Sequence, residues 1–295
     1  MIHPSSKVLY NAGVGASLLH YLHSCPICQN NDLVHYCRVP SLFREGEFIH
    51  YERCKACQTV LRNPRLPDDH RIRIYEERGL SAEWQRLDPI TQAHYFYMMR
   101  ILKTLVPPVS PRRLLDFGCG AGGFLLEARE AGFEVMGLEL HKELADYVTT
   151  QYGIPVFQGL ITNHALENER FNFIISSQVF EHLLNPRGTL EALKVHLEPS
   201  GIILIEVPNL SHIRERLKRG STMDDSHLFY FNRYSLSRLL TSLGFQIITI
   251  QEGLRPYRFF RNRARKFPKL FLNTWERLFS LCQIKTGLSV IARLQ

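Results

Sequence analysis

Arg113-Leu114-Leu115-Asp116-Phe117-Gly118-Cys119-Gly120-Ala121-Gly122-Gly123-Phe124 is the stretch that decides the fold. It reads as a short apolar strand, a glycine-rich turn and a helix running from about Gly122 to Ala131. A turn of glycines can take positive φ and lets a ligand come close to the backbone, because no Cβ stands in the way. Gly118, Gly120 and Gly123 satisfy a G-x-G-x-x-G spacing, which by itself is a weak signal.

Asp116 narrows the reading. It puts a carboxylate at the strand end just before the first glycine, where a pyrophosphate with its two negative charges would be repelled. The amino-acid end of S-adenosylmethionine brings an ammonium instead, which a carboxylate holds directly or through water. Glu139 ends the next strand, Phe133 to Glu139, where a carboxylate can take both hydroxyls of a ribose. The plainer alternative is a pair of solvated strand-end acids.

Upstream, Cys25-Pro26-Ile27-Cys28 and Cys54-Lys55-Ala56-Cys57 repeat one spacing, with 25 residues between the pairs. Each pair can form a tight knuckle that points two thiolates at one ion, and two knuckles complete the S₄ tetrahedron that zinc favours. Leu33 to Val39 and Glu47 to Tyr51 read as short strands between them, the hairpin of a zinc ribbon. So small a unit buries little apolar surface, so the metal is expected to be structural and to supply its stability. A closed four-thiolate site leaves no place for substrate. Cys37 is left over, on a strand, and His20 and His23 are alternative ligands. Val60 to Pro67 ends the ribbon, and a helical pattern follows from Pro67 to Val106 with aromatics at Tyr95, Phe96 and Tyr97, expected to pack on the next domain.

The chain has 295 residues, 45% of them hydrophobic and 22% charged, which suits one α/β domain plus a small module. Seven cysteines without a secretory signal point to thiols or metal ligands rather than disulfides. The net charge of +8 is uneven: from Gly253 onward ten Lys or Arg face one acid, Glu276, so the remainder sums to −1. No apolar run is long enough to span a bilayer. The expectation is a cytoplasmic protein, with its basic segment available for peripheral contact at an anionic inner membrane surface.

Three further stretches carry a resemblance: Phe171 to Leu183, ending in Phe180-Glu181-His182-Leu183; Gly201 to Asn209, leaving through Glu206-Val207-Pro208-Asn209; and His227-Leu228-Phe229-Tyr230-Phe231, ahead of a helix that ends at Leu243-Gly244-Phe245. With the glycine turn, they resemble the class I S-adenosylmethionine-dependent methyltransferases, and the bacterial group in which a zinc ribbon precedes the catalytic domain. The resemblance covers nearly the whole chain. It implies an α/β, Rossmann-like fold with a mostly parallel seven-stranded sheet, organised as ribbon (1–67), helical linker (68–110) and methyltransferase domain (111–295). A basic insertion at about 254–286 separates the last two strands, the final one being Gly287 to Arg293.

The implied cofactors are S-adenosyl-L-methionine and a structural Zn²⁺ on Cys25, Cys28, Cys54 and Cys57. Asp116, Gly118, Gly120, Glu139 and Gln178 are expected to hold the former, Gln178 close to its methionine portion. Two departures stand out. Gln158-Gly159-Leu160 lacks the acidic residue often found near the adenine, leaving backbone groups and Leu160 to hold it. Asn172 replaces an aspartate at the start of the fourth strand, a change expected to be structural.

Transfer of a methyl group to a hydroxyl requires alignment, exclusion of water and one base. His182 and His227 are the candidates, because strand-exit loops surround the cofactor and an imidazole titrates near neutrality. Glu181 could orient the base or bind substrate; capping of the next helix is the alternative for the Glu181-His182 pair. The partner expected is a small-molecule or glycan acceptor, such as a sugar or lipid-linked saccharide. RNA, gripped by ribbon and basic segment, is the second reading, and nucleic acid is favoured less. The motifs of base-amine and covalent cytosine methylation are missing. A third reading, a scaffold without catalysis, runs against the intact Asp116 turn and Glu139.

Overall fold

After Arg113, short apolar runs alternate with segments of helical period, and such a pattern buries its apolar faces as parallel strands with crossover helices. The computed structural model describes residues 19–41, 47–66, 89–105, 112–161, 166, 168–211, 226–253 and 287–295. The basic segment 254–286 and the first half of the helical stretch, 67–88, lie outside the described residues.

The ribbon region supplies β1 (Leu33–Pro40), β2 (Phe48–Cys54) and β3 (Val60–Arg62), and α1 (Pro89–Leu105) follows. Then come β4 (Arg113–Phe117), α2 (Gly123–Glu130), β5 (Glu134–Glu139), α3 (Lys142–Tyr152) and β6 (Val156–Gln158). The second half comprises β7 (Phe171–Ser177), α4 (Pro186–Lys194), β8 (Leu197–Pro208), β9 (Phe229–Tyr230), α5 (Arg233–Thr241), β10 (Phe245–Gly253) and β11 (Gly287–Leu294).

Seven strands form one sheet in the order β10-β11-β8-β7-β4-β5-β6. β4 pairs in parallel with β5 and β7, β5 with β6 and β7 with β8, while β11 runs antiparallel to both β8 and β10. The strand order reverses beside β4, so the turn after β4 opens at the switch point where α/β sheets receive ligands.

Side chains alternate between the two faces of a strand. Leu114, Phe173, Ile175, Ile202, Leu204 and Ile291 share one buried cluster with Met98, Met99 and Leu102 of α1. Leu115, Ile174, Ile203, Ile205 and Val290 face the other way, into a cluster with Leu190 and Leu193 of α4 and Leu236 and Leu239 of α5. Full burial of each such aliphatic side chain contributes about 1.5–3 kcal/mol. Asn172 is structural: its Oδ1 accepts the backbone N–H of Arg113 at 2.8 Å, tying the starts of β7 and β4.

The ribbon differs from a bare hairpin. β2 extends to Cys54, so the second knuckle springs directly from a strand end, and Val60–Arg62 forms a third strand before the prolines stop the ladder. That strand pairs with β9, giving a four-stranded sheet β1-β2-β3-β9 whose last member comes from the His227–Phe231 stretch. Leu61 lies opposite Phe229, Val60 opposite Tyr230, and the Arg62 N–H donates to the Leu228 carbonyl at 2.9 Å. Cys25, Ile27, Cys54 and Cys57 join the same apolar cluster as the second face of the large sheet.

Of the three aromatics expected to pack from α1, Tyr95 meets Phe124 edge-on at 5.7 Å, whereas Phe96 is 52% exposed. The side chain of Tyr97 lies outside the described residues.

Candidate active site

The glycine turn is shaped by backbone demands. Gly118, Gly120 and Gly122 all have positive φ, at 79°, 53° and 77°. A Cβ on Gly118 would stand 2.4 Å from Cγ2 of Val179, and one on Gly122 would stand 2.8 Å from Cγ2 of Val148. Gly122 caps α2 in the left-handed conformation, so the helix begins at Gly123.

Asp116 and Glu139 come together beside this turn, and both are buried. Burial, with the Glu139 carboxylate second, pushes the Asp116 carboxyl up to about 7. Oε2 of Glu139 accepts the Gly120 N–H and Oε1 accepts the His141 N–H, each at 2.9 Å. Both oxygens are fixed by one backbone donor and keep a second lone pair, a geometry that can receive two neighbouring hydroxyls. Leu160, beyond β6, is 51% exposed.

Gln178 follows β7 with φ 62°, and its N–H donates to the Glu206 carbonyl at 2.8 Å. Its side-chain Nε2 is buried with no hydrogen-bond partner among the described residues, a donor suited to a bound ligand.

Glu181, His182 and His227 converge, with one ligand-capable atom from each within 4.8 Å of the others. Nε2 of His182 lies 4.0 Å from Oε1 of Glu181, and the two imidazoles meet edge-on at 4.7 Å. Nδ1 of His182 lies 3.0 Å from the Ser226 carbonyl. A carbonyl only accepts, so Nδ1 carries a proton, and in the neutral ring Nε2 is then the basic nitrogen. The pair does not cap α4: Asn185 does, accepting the Gly188 N–H at 3.0 Å. The Glu181 carbonyl instead accepts the N–H groups of Leu228 and Phe229 at 2.8 and 3.1 Å, which holds His227 against the β7 exit.

The four cysteines also converge. Sγ atoms of Cys25 and Cys57 lie 3.6 Å apart, as do those of Cys28 and Cys54, and all four fall within 4.8 Å of one another. A tetrahedron with Zn–S bonds of ~2.3 Å has edges of about 3.8 Å, so the set fits zinc, and 3.6 Å is far too long for a disulfide. The knuckles match in backbone: Gln29 and Gln58 donate N–H to the carbonyl oxygens of Cys25 and Cys54 at 2.7 and 2.8 Å, with φ of 61° and 64°. A hydrogen bond from Cys25 lowers Cys57 to about 5 and raises Cys25 in return, and burial pushes Cys28 up to about 11. His20, bridged to Arg65, and His23 lie outside this cluster.

Sequence reasoning missed His94. On α1, its Nε2 lies 2.9 Å from Oε2 of Glu206, a carboxylate 2% exposed at the exit of β8. The only sequence signal was Glu206 itself, an acid at a strand end, because nothing local to His94 indicates which strand its helix covers.

Comparison with known proteins agrees with this architecture. The Methyltransferase domain family matches residues 90–250, more than half the chain. A ubiquinone biosynthesis O-methyltransferase of Proteus mirabilis (strain HI4320) is 31% identical over 152 residues, covering 48% of this chain and 61% of that protein. Its counterpart in Rickettsia prowazekii (strain Madrid E) is 26% identical over 133 residues, covering 44% and 53%. The chain thus spans between about half and three-fifths of the length of these curated relatives. Among solved structures, a SAM dependent methyltransferase from Archaeoglobus fulgidus shares the fold with a TM-score of 0.51 at 19% identity, covering 72% of this chain and 96% of that one. The sheet order, the glycine turn at its switch point and the family match together make the chain a member of the Methyltransferase domain family.

Proposed function

We propose that the protein methylates a hydroxyl oxygen of a small molecule or glycan. The observation that carries this reading is the setting of His182: its Nδ1 lies 3.0 Å from the Ser226 carbonyl, which makes Nε2, 4.0 Å from Oε1 of Glu181, the basic nitrogen of the neutral ring. Such an imidazole accepts a hydroxyl proton, and the neighbouring carboxylate stabilises the imidazolium that results. His227, packed against His182 and Tyr230, lines the same side and binds the acceptor.

Bound S-adenosylmethionine supplies the activated methyl group. Asp116 holds its ammonium, Glu139 its ribose hydroxyls and Gln178 its methionine portion, while Gly118 and Gly120 let it lie against the backbone. The four cysteines hold Zn²⁺, whose role is structural: Arg187 donates to the carbonyl of Ile27 at 3.0 Å and Arg238 to that of Ala56 at 3.2 Å, so α4 and α5 each grip one knuckle. The likeness to ubiquinone biosynthesis O-methyltransferases supports oxygen as the acceptor atom.

The test is transfer from radiolabelled S-adenosylmethionine to a panel of phenols, monosaccharides, nucleotide sugars and lipid-linked saccharides, with bulk RNA as the contrasting acceptor. Label in a base- and periodate-stable ether of one hydroxyl class is the expected result. Label in RNA, with none in any hydroxyl acceptor, would overturn the reading.

A further inference from the structure

Tyr51 belongs to the ribbon, yet its ring begins a run of aromatic contacts that ends at the candidate base. It lies on β2, shortly before Cys54 of the second knuckle, and is fully buried. Its ring meets that of Tyr230 edge-on at 5.7 Å. Tyr230 meets His227 at 5.3 Å, with the ring planes at 63°, and His227 meets His182 at 4.7 Å and 70°. Edge-to-face packing sets the positive edge of one ring against the negative face of the next, so each ring restricts the tilt and position of its neighbour.

The register explains how a β2 side chain reaches β9. Tyr51 lies opposite Arg62 and Val60 opposite Tyr230, so Tyr51, Val60 and Tyr230 share one face of the small sheet. With β3 between them, the backbones of the two tyrosines are separated by two strand spacings, about 10 Å across the sheet. Both rings therefore lean over the intervening strand, where Val60, buried in the same cluster, offers a short side chain that lets them meet. Val39 and Ile49 belong to that layer, and Leu210, beyond the exit of β8, packs against it. Ribbon strands build the layer from one side, and β9 with the exit of β8 from the other.

A second link reaches His182 through the backbone. The Ser226 carbonyl, 3.0 Å from Nδ1 of His182, belongs to the peptide bond that leads into His227. That peptide is planar, so a displacement of His227 also turns the carbonyl away from Nδ1. We infer that Tyr51 is a positioning residue for methyl transfer: through Tyr230 it holds His227, and with it the Ser226 carbonyl that makes Nε2 the basic nitrogen of His182. The inference rests on the reading of His182 as the base. It gives the ribbon a part in the reaction beyond its own fold, because β2 and β3 brace the base from outside the methyltransferase sheet.

Nuclear magnetic resonance of the full chain with isotope-labelled histidine reads this without any acceptor. Ring signals are assigned by their loss in His182→Gln and His227→Gln, and the tautomer is read at a pH where the rings are neutral. The wild type is expected to carry the His182 proton on Nδ1. Tyr51→Leu keeps an apolar side chain but removes the ring, and is expected to move both histidine signals and to populate the Nε2–H form of His182. Tyr51→Phe, which keeps the ring, restores the wild-type signals. Zinc at one ion per chain in each variant shows that the ribbon is intact. On an acceptor found by the panel above, Tyr51→Leu lowers kcat about tenfold or more, the scale of a misplaced catalytic group, with KM for S-adenosylmethionine within about twofold. Unmoved His182 signals in Tyr51→Leu, or a Tyr51→Phe protein that behaves like the leucine variant, would overturn the inference. If the leucine variant sheds zinc, Tyr51→Met takes its place, filling the volume without a ring; if that variant sheds zinc too, Tyr51 serves only the ribbon's own core and the inference is lost. Undiminished transfer by His182→Gln would instead remove the base, a separate failure, because the tautomer signature needs no acceptor.

Discussion

The backbone N–H of Gly120 donates to Oε2 of Glu139 at 2.9 Å, joining the turn after β4 to the exit of β5. The carboxylate proposed to receive the ribose is therefore oriented by the backbone itself, and the turn is held by the same contact. Its loss removes a ligand contact and loosens the turn together. Glu139→Ala is expected to weaken S-adenosylmethionine tenfold or more, since each charge-assisted hydrogen bond contributes on the order of 1.5–3 kcal/mol. Unchanged affinity by calorimetry would remove Glu139 from the cofactor site.

Asp116, as the proposed seat of the cofactor's ammonium, is expected to make cofactor binding depend on pH. Burial and the Glu139 carboxylate raise its carboxyl from 3.8 to about 7, so the form that attracts an ammonium prevails only above that value. Affinity for S-adenosylhomocysteine should rise between pH 5.5 and 7, by up to about tenfold per unit for one linked proton, and then level off. Stability of the free protein moves oppositely. A carboxyl raised above its unfolded value contributes stability that is full below about 4 and is lost as pH rises through about 7. Thermal unfolding of Asp116→Asn across that window should lack this component, and identical pH profiles for variant and wild type would contradict the assignment.

Zinc is expected at one ion per chain. Cys54→Ser should lose it, and because β3 is hydrogen-bonded to β9, the loss should spread to His227. Hydrogen exchange is expected to speed up in β3 and in 228–231 as well as around the knuckles. Full stoichiometric zinc in that variant would sink the four-cysteine site.

His182→Gln is expected to lower kcat by about 100-fold or more, the usual contribution of a positioned base, with cofactor affinity nearly unchanged. Glu181→Gln should have a smaller effect of the same kind. A kcat within about threefold of wild type for His182→Gln would exclude it as the base.

The basic segment that precedes β11 sets Phe259, Phe260, Phe267 and Trp275 among its cations. We propose that it brings the site to an anionic membrane surface, combining apolar burial with roughly 1 kcal/mol per cation near the leaflet. Co-sedimentation with anionic vesicles should weaken only in part as salt rises, whereas binding to RNA would fall steeply. No vesicle binding at low salt would remove this proposal.

The fold was legible because its signals are local. An apolar run ending in Asp116, a turn that tolerates only glycine at positive φ, and two cysteine spacings each state their backbone geometry within a dozen residues. Glu139 at a strand end, and Glu181 and His227 in loops beyond strands, could be placed at one edge of the sheet because parallel strands all exit on the same side. Tertiary structure alone decided which groups meet across that edge. β3 finds β9 some 170 residues along the chain, as its register with Tyr230 and Phe229 records, and no periodicity in Val60–Arg62 names that partner. His94 finds Glu206 for the same kind of reason: a helix declares its apolar stripe in sequence, but which strand lies beneath it depends on how the whole layer packs. Glu139 was legible as an acid at a strand end, yet its fixed orientation comes from the Gly120 and His141 amides, donors that every residue but proline carries and that only the folded backbone can aim.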